Sequence, residues 1–244
     1  MIFEINRIYN EDCLDTMFRM DDDFIDLTVT SPPYDSLRKY NGYSFDFEKT
    51  ALQLHRTTKP GGVVVWIIGD ETLNGSESGT SFKQVLYFKE IGFNLHDTMI
   101  YKKNSSTYPS HRKSKRYTQI FEYMFILSKG RPKTVHLICD KKNKWAGHRD
   151  FSKKLKHPVP EFSPRNNIWE YVTSFNGVKH PAPFPEKLAQ DHILSWSEEG
   201  DLVYDPFIGS GTTAKMAKIN RRNYIGSDIS QQYCDDAVQR VNII

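Results

Sequence analysis

The stretch DLVYDPFIGSGTT, residues 201–213, passes from an apolar β-like run to an acid, then to a glycine turn, and then to a helix beginning near Thr212. A strand that ends in a glycine turn and feeds a helix N-terminus forms a cradle for the polar parts of a cofactor. Gly209 and Gly211 let the backbone come close to a ligand, and the first-turn amides of the helix favour a negative group such as a carboxylate. A P-loop would need lysine after the last glycine, and Thr212 stands there; the dinucleotide fingerprint is incomplete as well, with only Gly-Ser-Gly present. Asp228 closes YIGSD, 23 residues after Asp205, at the tip of the next expected strand. An acid at that place can accept both hydroxyls of a ribose. A lone GxG after a strand also reads as an ordinary tight turn; the acid before it and the acid after it favour a cofactor site.

Outward from this stretch, short apolar runs alternate with helical ones. FIDLTVT (24–30) predicts a strand, ALQLHRTTK a helix, and VVVWII (63–68), after Pro60-Gly61-Gly62, another strand, which is the rhythm of an α/β chain. Residues 82–90 and 186–196 predict helices, DLVYD and RRNYIGSD strands, TTAKMAKI a helix, and a final helix starts near Gln231. FNLHDTMIY and IFEYMFILS flank a basic loop like an antiparallel pair, so a mostly parallel sheet with a mixed edge is expected. Past Gly130 no periodicity is convincing. Residues 102–165 are therefore expected to form an insertion, with a core strand near 118–128 interleaved, between two halves of one core at 1–101 and 166–244.

FIDLTVT runs into Ser31-Pro32-Pro33-Tyr34. Neither proline has an amide hydrogen to donate, so the chain must leave the sheet there. The turn presents the Ser31 hydroxyl, the Pro32 carbonyl and the Tyr34 ring at the carboxyl end of a strand, where open α/β sheets place ligands. Two acceptors and a flat apolar face suit a planar heterocycle with an amino group. The plain alternative is a proline-stiffened loop.

The chain has 244 residues and a formal net charge of +3, which conceals a strong asymmetry. Residues 101–160 hold 16 basic side chains against three acids, a net of +13, while the remainder carries 17 basic and 27 acidic residues, a net of −10. Tyr101, Tyr108, Tyr117 and Trp145 are interleaved with the basic residues. Cations that release counterions from phosphates, together with aromatics that stack on bases, point to nucleic acid; a solvated basic surface is the plain reading. No apolar run approaches a membrane span, and the first residues lack a secretion signal, so no membrane partner and a cytoplasmic location are expected. Cys13, Cys139 and Cys234 are far apart and lack metal-ligand spacing, so neither a disulfide scaffold nor a zinc site is expected.

TSPPY near the N-terminus and DPFIGSGTT near the C-terminus resemble motifs IV and I of the beta-class S-adenosylmethionine-dependent amino-methyltransferases of DNA, the N4-cytosine and N6-adenine family. INRIYNEDC, KPGGVVVWIIGD, FILSKG and HPAPFPEKL (180–188, similar to motif X) follow the family's circularly permuted order, so the resemblance covers most of the chain. It implies a Rossmann-like methyltransferase fold with S-adenosylmethionine as cofactor. The basic stretch falls where this class carries its target-recognition region, which implies double-stranded DNA as partner and a bacterial or phage source. A homodimer and a cognate restriction enzyme are partners the resemblance leaves open.

Carried over by motif, Ser31, Pro32, Pro33 and Tyr34 would form the catalytic pocket. Asp205, Phe207, Gly209, Ser210 and Gly211, with Phe184 and Pro185, would hold the methionine part of the cofactor, Asp228 its ribose, and Asp12 and Cys13 its adenine side. The family often has glycine where this chain has Glu11. Arg38, Arg112, Lys113, Lys115, Arg116 and Arg149 are the candidate DNA contacts. The resemblance further implies that the target base is flipped out of the duplex and stacked on Tyr34, with no covalent enzyme intermediate. Serine at the first motif position favours cytosine N4 over adenine N6. An inactive DNA-binding scaffold on the same fold and a methyltransferase of protein amides are the rival readings.

Overall fold

In the computed structural model, residues 3–33, 45–104, 115–148, 157–172 and 185–243 are described. The chain begins with β1 (Arg7–Asn10), α1 (Cys13–Phe18), β2 (Ile25–Thr30), α2 (Phe47–Thr57) and β3 (Thr58–Ile68). A short hairpin, β4 (Thr72–Leu73) and β5 (Ser76–Glu77), leads to α3 (Thr80–Glu90), β6 (Asn94–Lys103) and β7 (Phe121–Ser128). There follow β8 (Cys139–Lys142), β9 (Phe162–Pro164), β10 (Ile168–Tyr171), α4 (Glu186–Trp196), β11 (Leu202–Asp205), α5 (Thr212–Ile219), β12 (Asn223–Asp228) and α6 (Gln231–Asn242).

Among the described residues, eight strands form one sheet in the order β1-β12-β11-β2-β3-β7-β6-β10. All pairs are parallel except those that β7 makes with β3 and β6, so β7 alone runs against the others. The expected mostly parallel sheet with a mixed edge is what the chain forms. β3 explains why the two layers hold together. Val63, Val65 and Ile67 face a core with Leu188, Ile193 and Trp196 of α4 and Met216 of α5. Val64, Trp66 and Ile68 face the opposite one, with Met17 of α1, Leu54 of α2 and Phe88 of α3. A strand buried on both faces is a continuous apolar run, and each large side chain so buried contributes roughly 1.5–3 kcal/mol. Trp66, fully buried, donates its indole N–H to Gln84 Oε1 at 2.8 Å, which removes the cost of burying that donor.

Several boundaries differ from the sequence expectation. The helix placed over ALQLHRTTK begins at Phe47, because the Asp46 side chain accepts from the Lys49 amide at 3.1 Å and caps it there. It ends at Thr57, because Thr58 already pairs with Ile25 and β3 starts before the glycines. Within 102–165, β8 and β9 pair into a separate two-stranded ribbon, and Ile168–Tyr171, beyond the expected insertion, joins β6 at the far edge of the main sheet. The ribbon strand β8 is exposed at every residue, so it has no buried face to write a period into the sequence. Among the described residues, no helix is long and apolar enough to cross a membrane.

Candidate active site

β11 and β2 are parallel neighbours, with Val203 opposite Leu27 and Tyr204 opposite Thr28. Their carboxyl ends therefore emerge side by side, and the Ser-Pro-Pro turn and the glycine loop leave the sheet together. From β11 the chain continues outward to β12 on one side, and from β2 it continues outward to β3 on the other, so this is a topological switch point, the usual ligand crevice of an open α/β sheet. A buried knot ties the two ends. Asp205, 1% exposed, accepts from Thr30 Oγ1 at 2.6 Å and the Phe207 amide at 3.0 Å through one oxygen, and from Thr213 Oγ1 at 2.8 Å through the other. Burial pushes the Asp205 carboxyl up to about 6, against the pull of these three donors. Thr30 and Thr213 stand inside the quoted motifs, yet no role was expected of them.

In the loop itself, Gly209 and Gly211 have left-handed backbone, φ +49° and +82°. A Cβ on Gly211 would sit 2.8 Å from the Ala237 Cβ of α6, so glycine is required there twice over. The Gly209 amide donates to Asp228 at 3.1 Å and the Ser230 amide to the other Asp228 oxygen at 2.9 Å, while burial raises that carboxyl above its usual range. β1 lies on the far side of β12 with Asn10 opposite Asp228. The segment expected at the adenine side is thus brought against the acid expected at the ribose.

That segment is not all turned toward a ligand. The Asp12 carboxylate accepts from the Leu14 amide at 2.8 Å and caps α1. The Cys13 side chain is buried among α1 and α2, the thiol lies 3.8 Å from Thr50 Oγ1, and burial pushes its pKa up to about 12. Glu11, where the family often has glycine, accepts from Thr16 Oγ1 at 2.6 Å and pairs with Arg19. Pro32 is buried, and Ser31 and Pro33 are half-buried. Half-buried Phe207 packs edge-on against Phe45, with ring centres 5.0 Å apart. Pro185 stands immediately before α4 as its cap residue. Tyr34, Phe184, Arg38, Arg112, Lys113 and Arg149 lie outside the described residues.

The basic segment divides in two. Lys141, Lys142 and Lys144 are exposed on and beside the β8–β9 ribbon, with Trp145 69% exposed beyond β8. Lys115 is exposed too, whereas Arg116 donates to the Gly75 carbonyl and lies 3.7 Å from Glu77, against the β4–β5 hairpin. Lys133, by contrast, pairs with the buried Asp26 at 2.6 Å, and Lys129 pairs with Asp23 at 2.7 Å. These acids adjoin the amino end of β2, opposite the Ser-Pro-Pro turn, so part of the +13 segment stabilises the core. All three cysteines are free, and no cluster of metal-binding side chains occurs among the described residues.

A family model described as DNA methylase matches residues 25–239. The orphan methyltransferase M.BamHII of Bacillus amyloliquefaciens is 57% identical over 237 residues, covering 89% of this chain and 88% of that protein. The type II methyltransferase M.BglII of Bacillus subtilis is 28% identical over 254 residues, covering 96% of this chain and 68% of that protein. Among solved structures, the PvuII DNA methyltransferase (cytosine-N4-specific) has a TM-score of 0.75 at 24% identity, covering 96% of this chain and 85% of that one. The M1.HpyAVI–SAM complex has a TM-score of 0.66 at 23% identity, covering 97% and 99%. Both likenesses are of fold. With a profile match across most of its length and a relative at 57% identity, the chain belongs to the N6/N4 DNA methylase family, S-adenosylmethionine-dependent enzymes that methylate exocyclic amino groups of DNA bases.

Proposed function

We propose that the protein methylates the N4 amino group of cytosine in double-stranded DNA. The observation that carries this is the Ser31-Pro32 turn held beside the glycine loop by the Thr30–Asp205 bond. The residues present fit the cofactor: left-handed Gly209 and Gly211 open the N-terminus of α5, and Asp228 stands half-buried at the end of β12. When bound, S-adenosylmethionine supplies an electrophilic methyl group. Asp228 would face the ribose, and the loop from Phe207 to Gly211, with Pro185 and Phe184, would hold the methionine end. The contribution of Asp205 is to fix that loop from below, since both its oxygens already meet protein donors.

On the substrate side, the Ser31 hydroxyl and the Pro32 carbonyl would accept the two hydrogens of the base amino group. That orientation turns the nitrogen lone pair outward and stabilises positive charge as it grows on nitrogen. Stacking on Tyr34 would offset the few kcal/mol needed to take the base from the duplex. Serine rather than aspartate at position 31 supports cytosine. The DNA-facing cations proposed are Lys115 and the ribbon lysines, joined by Arg38, Arg112, Lys113 and Arg149. The description of M.BamHII as an orphan supports an enzyme that works without a cognate restriction enzyme.

The test is mass spectrometry of nucleosides from unmethylated DNA incubated with the protein and methyl-deuterated S-adenosylmethionine. Label on cytosine N4 is expected. Label on adenine N6 would move the assignment to that base, and no label with cofactor bound would favour an inactive scaffold. Ser31→Ala should lose at least about two orders of magnitude in turnover, the scale of one positioned transition-state contact, and keep its cofactor affinity. Retained turnover would remove Ser31 from the chemistry.

A further inference from the structure

Arg240 lies in the last turn of α6, where any cation gains from the helix dipole. Its guanidinium does something more specific. One terminal nitrogen lies 3.1 Å from each of three oxygens of the glycine loop: the Ser210 carbonyl, the Ser210 hydroxyl and the Thr212 hydroxyl. The other donates to Glu186 Oε1 at 2.5 Å, and the same oxygen accepts from Lys215 Nζ at 2.7 Å. The Arg240 side chain is only 18% exposed. Glu186 is the first residue of α4 and follows Pro185 directly. The fork therefore joins three pieces: the loop after β11, the start of α5, and the segment that ends in Pro185.

Neither glycine of the loop holds its own conformation, because left-handed backbone is one of several a glycine can adopt. Asp228 fixes the loop from the β12 side through the Gly209 amide. Arg240 fixes it from the α6 side by taking the Ser210 carbonyl, and that peptide's N–H, on Gly211, donates to the Ile208 carbonyl at 2.9 Å. With the peptide so oriented, Ser210 and Thr212 are presented in one arrangement before any ligand arrives. Preorganisation of this kind lowers the ordering cost of binding.

We propose that Arg240, with Glu186 as its counter-ion, is a positioning residue for the cofactor: it sets the glycine loop and couples that loop to the Pro185 segment. The inference rests on the proposed cofactor role of the loop. A positioning role of this kind acts on cofactor binding and leaves the base pocket alone.

Steady-state kinetics on the full chain, with S-adenosylmethionine and a duplex substrate, separates the possibilities, with calorimetric cofactor titration and thermal melts alongside. Arg240→Gln should raise the cofactor KM and Kd by about tenfold or more, the loss of charge-assisted bonds. Its kcat at saturating cofactor should stay within about twofold of the parent and its duplex KM unchanged. Arg240→Lys should recover part of the affinity, since it keeps the charge but cannot bridge the loop and Glu186 at once. Glu186→Gln should raise the cofactor KM several-fold; it also carries the test by the same criteria should Arg240→Gln not fold. An unchanged cofactor KM, or a lowered melting temperature as the sole effect, would overturn the proposal. Asp228→Ala distinguishes the two levels: if it too leaves the cofactor Kd unchanged, the loop assignment fails and not merely the clamp.

Discussion

At Asp205 the hydrogens can be counted. Thr213 has one hydroxyl hydrogen and faces two acceptors, Asp205 Oδ2 at 2.8 Å and the Val29 carbonyl at 3.1 Å. With Asp205 ionised, the Thr213 hydrogen serves the carboxylate, while Val29 also stands in the β2–β3 ladder. With Asp205 protonated, its own O–H donates to Thr213, whose hydrogen then serves Val29, and the group is satisfied. Burial is the main cause that raises the carboxyl, and it outweighs Thr30, Thr213 and the Phe207 amide, so the group stands at about 6 against an ordinary 3.8. A carboxyl raised on folding binds its proton more tightly in the folded state. Its stabilising contribution is therefore fully present below pH ~4 and is lost as pH rises through about 6. Asp205→Asn mimics the protonated form and cannot titrate. We expect the cofactor-free parent to gain stability over this variant as pH falls from 7 to 4.5, by about 2 kcal/mol. Urea midpoints at both ends of the range check this, and curves that stay parallel would exclude it. Asp205 and the glycines were legible in the sequence because they lie in one contiguous motif. Thr30 was not, because its partner is 175 residues away and only the sheet order brings them together.

Among the elements, strands buried on both faces were legible from their composition, as β3 was from VVVWII. β10 was missed because four residues, in which buried Trp169 and Tyr171 alternate with exposed Ile168 and Glu170, are too few to establish a period. The β8–β9 ribbon was missed for the opposite reason, having almost no buried face at all. Such a ribbon gains little from packing on the core, and what ties it down is Arg165. That side chain pairs with Asp140 of β8 and, at 2.8 Å, with the buried Asp191 of α4. The connection beyond β8 holds Trp145, stacked edge-on with His148 at 5.8 Å between ring centres and otherwise open to solvent. An exposed indole beside three lysines is suited to a base rather than to the protein core. Trp145→Ala should weaken duplex binding by roughly 1–3 kcal/mol, the range for a lost base–aromatic stack, and leave cofactor affinity unchanged. Fluorescence anisotropy with a labelled duplex measures the first and calorimetry the second. Equal duplex affinity would make the indole a bystander.

Across the whole molecule, the question is which of the cations in the +13 segment meet DNA. The sequence could count them but not sort them, since sorting needs to know which end of the sheet each one reaches. Lys133 shares the buried Asp26 with Lys59, and Asp26 also accepts from the Leu202 amide at 3.0 Å. Burial pushes the Asp26 carboxyl up, but the Leu202 amide and the two lysines outweigh it and hold the carboxyl below its ordinary range. Lys133 is thus part of a charge network next to the amino ends of β2 and β11, while Lys141, Lys142 and Lys144 stand in solvent with the ribbon. The two groups should separate in a salt titration. Each lysine that neutralises a phosphate contributes about 0.9 to the slope of log affinity against log salt for duplex DNA. Replacing the three ribbon lysines by glutamine should flatten that slope by about 0.9 for every one that contacts phosphate, while the thermal midpoint hardly moves. Lys133→Gln should do the reverse: an unchanged slope with a stability loss of about 1–3 kcal/mol, because a buried carboxylate loses one of its two cations. A Lys133 variant that flattened the slope as much as the ribbon variant would mean that DNA reaches the end of the sheet opposite the Ser-Pro-Pro turn, and the proposed docking face would have to be turned over.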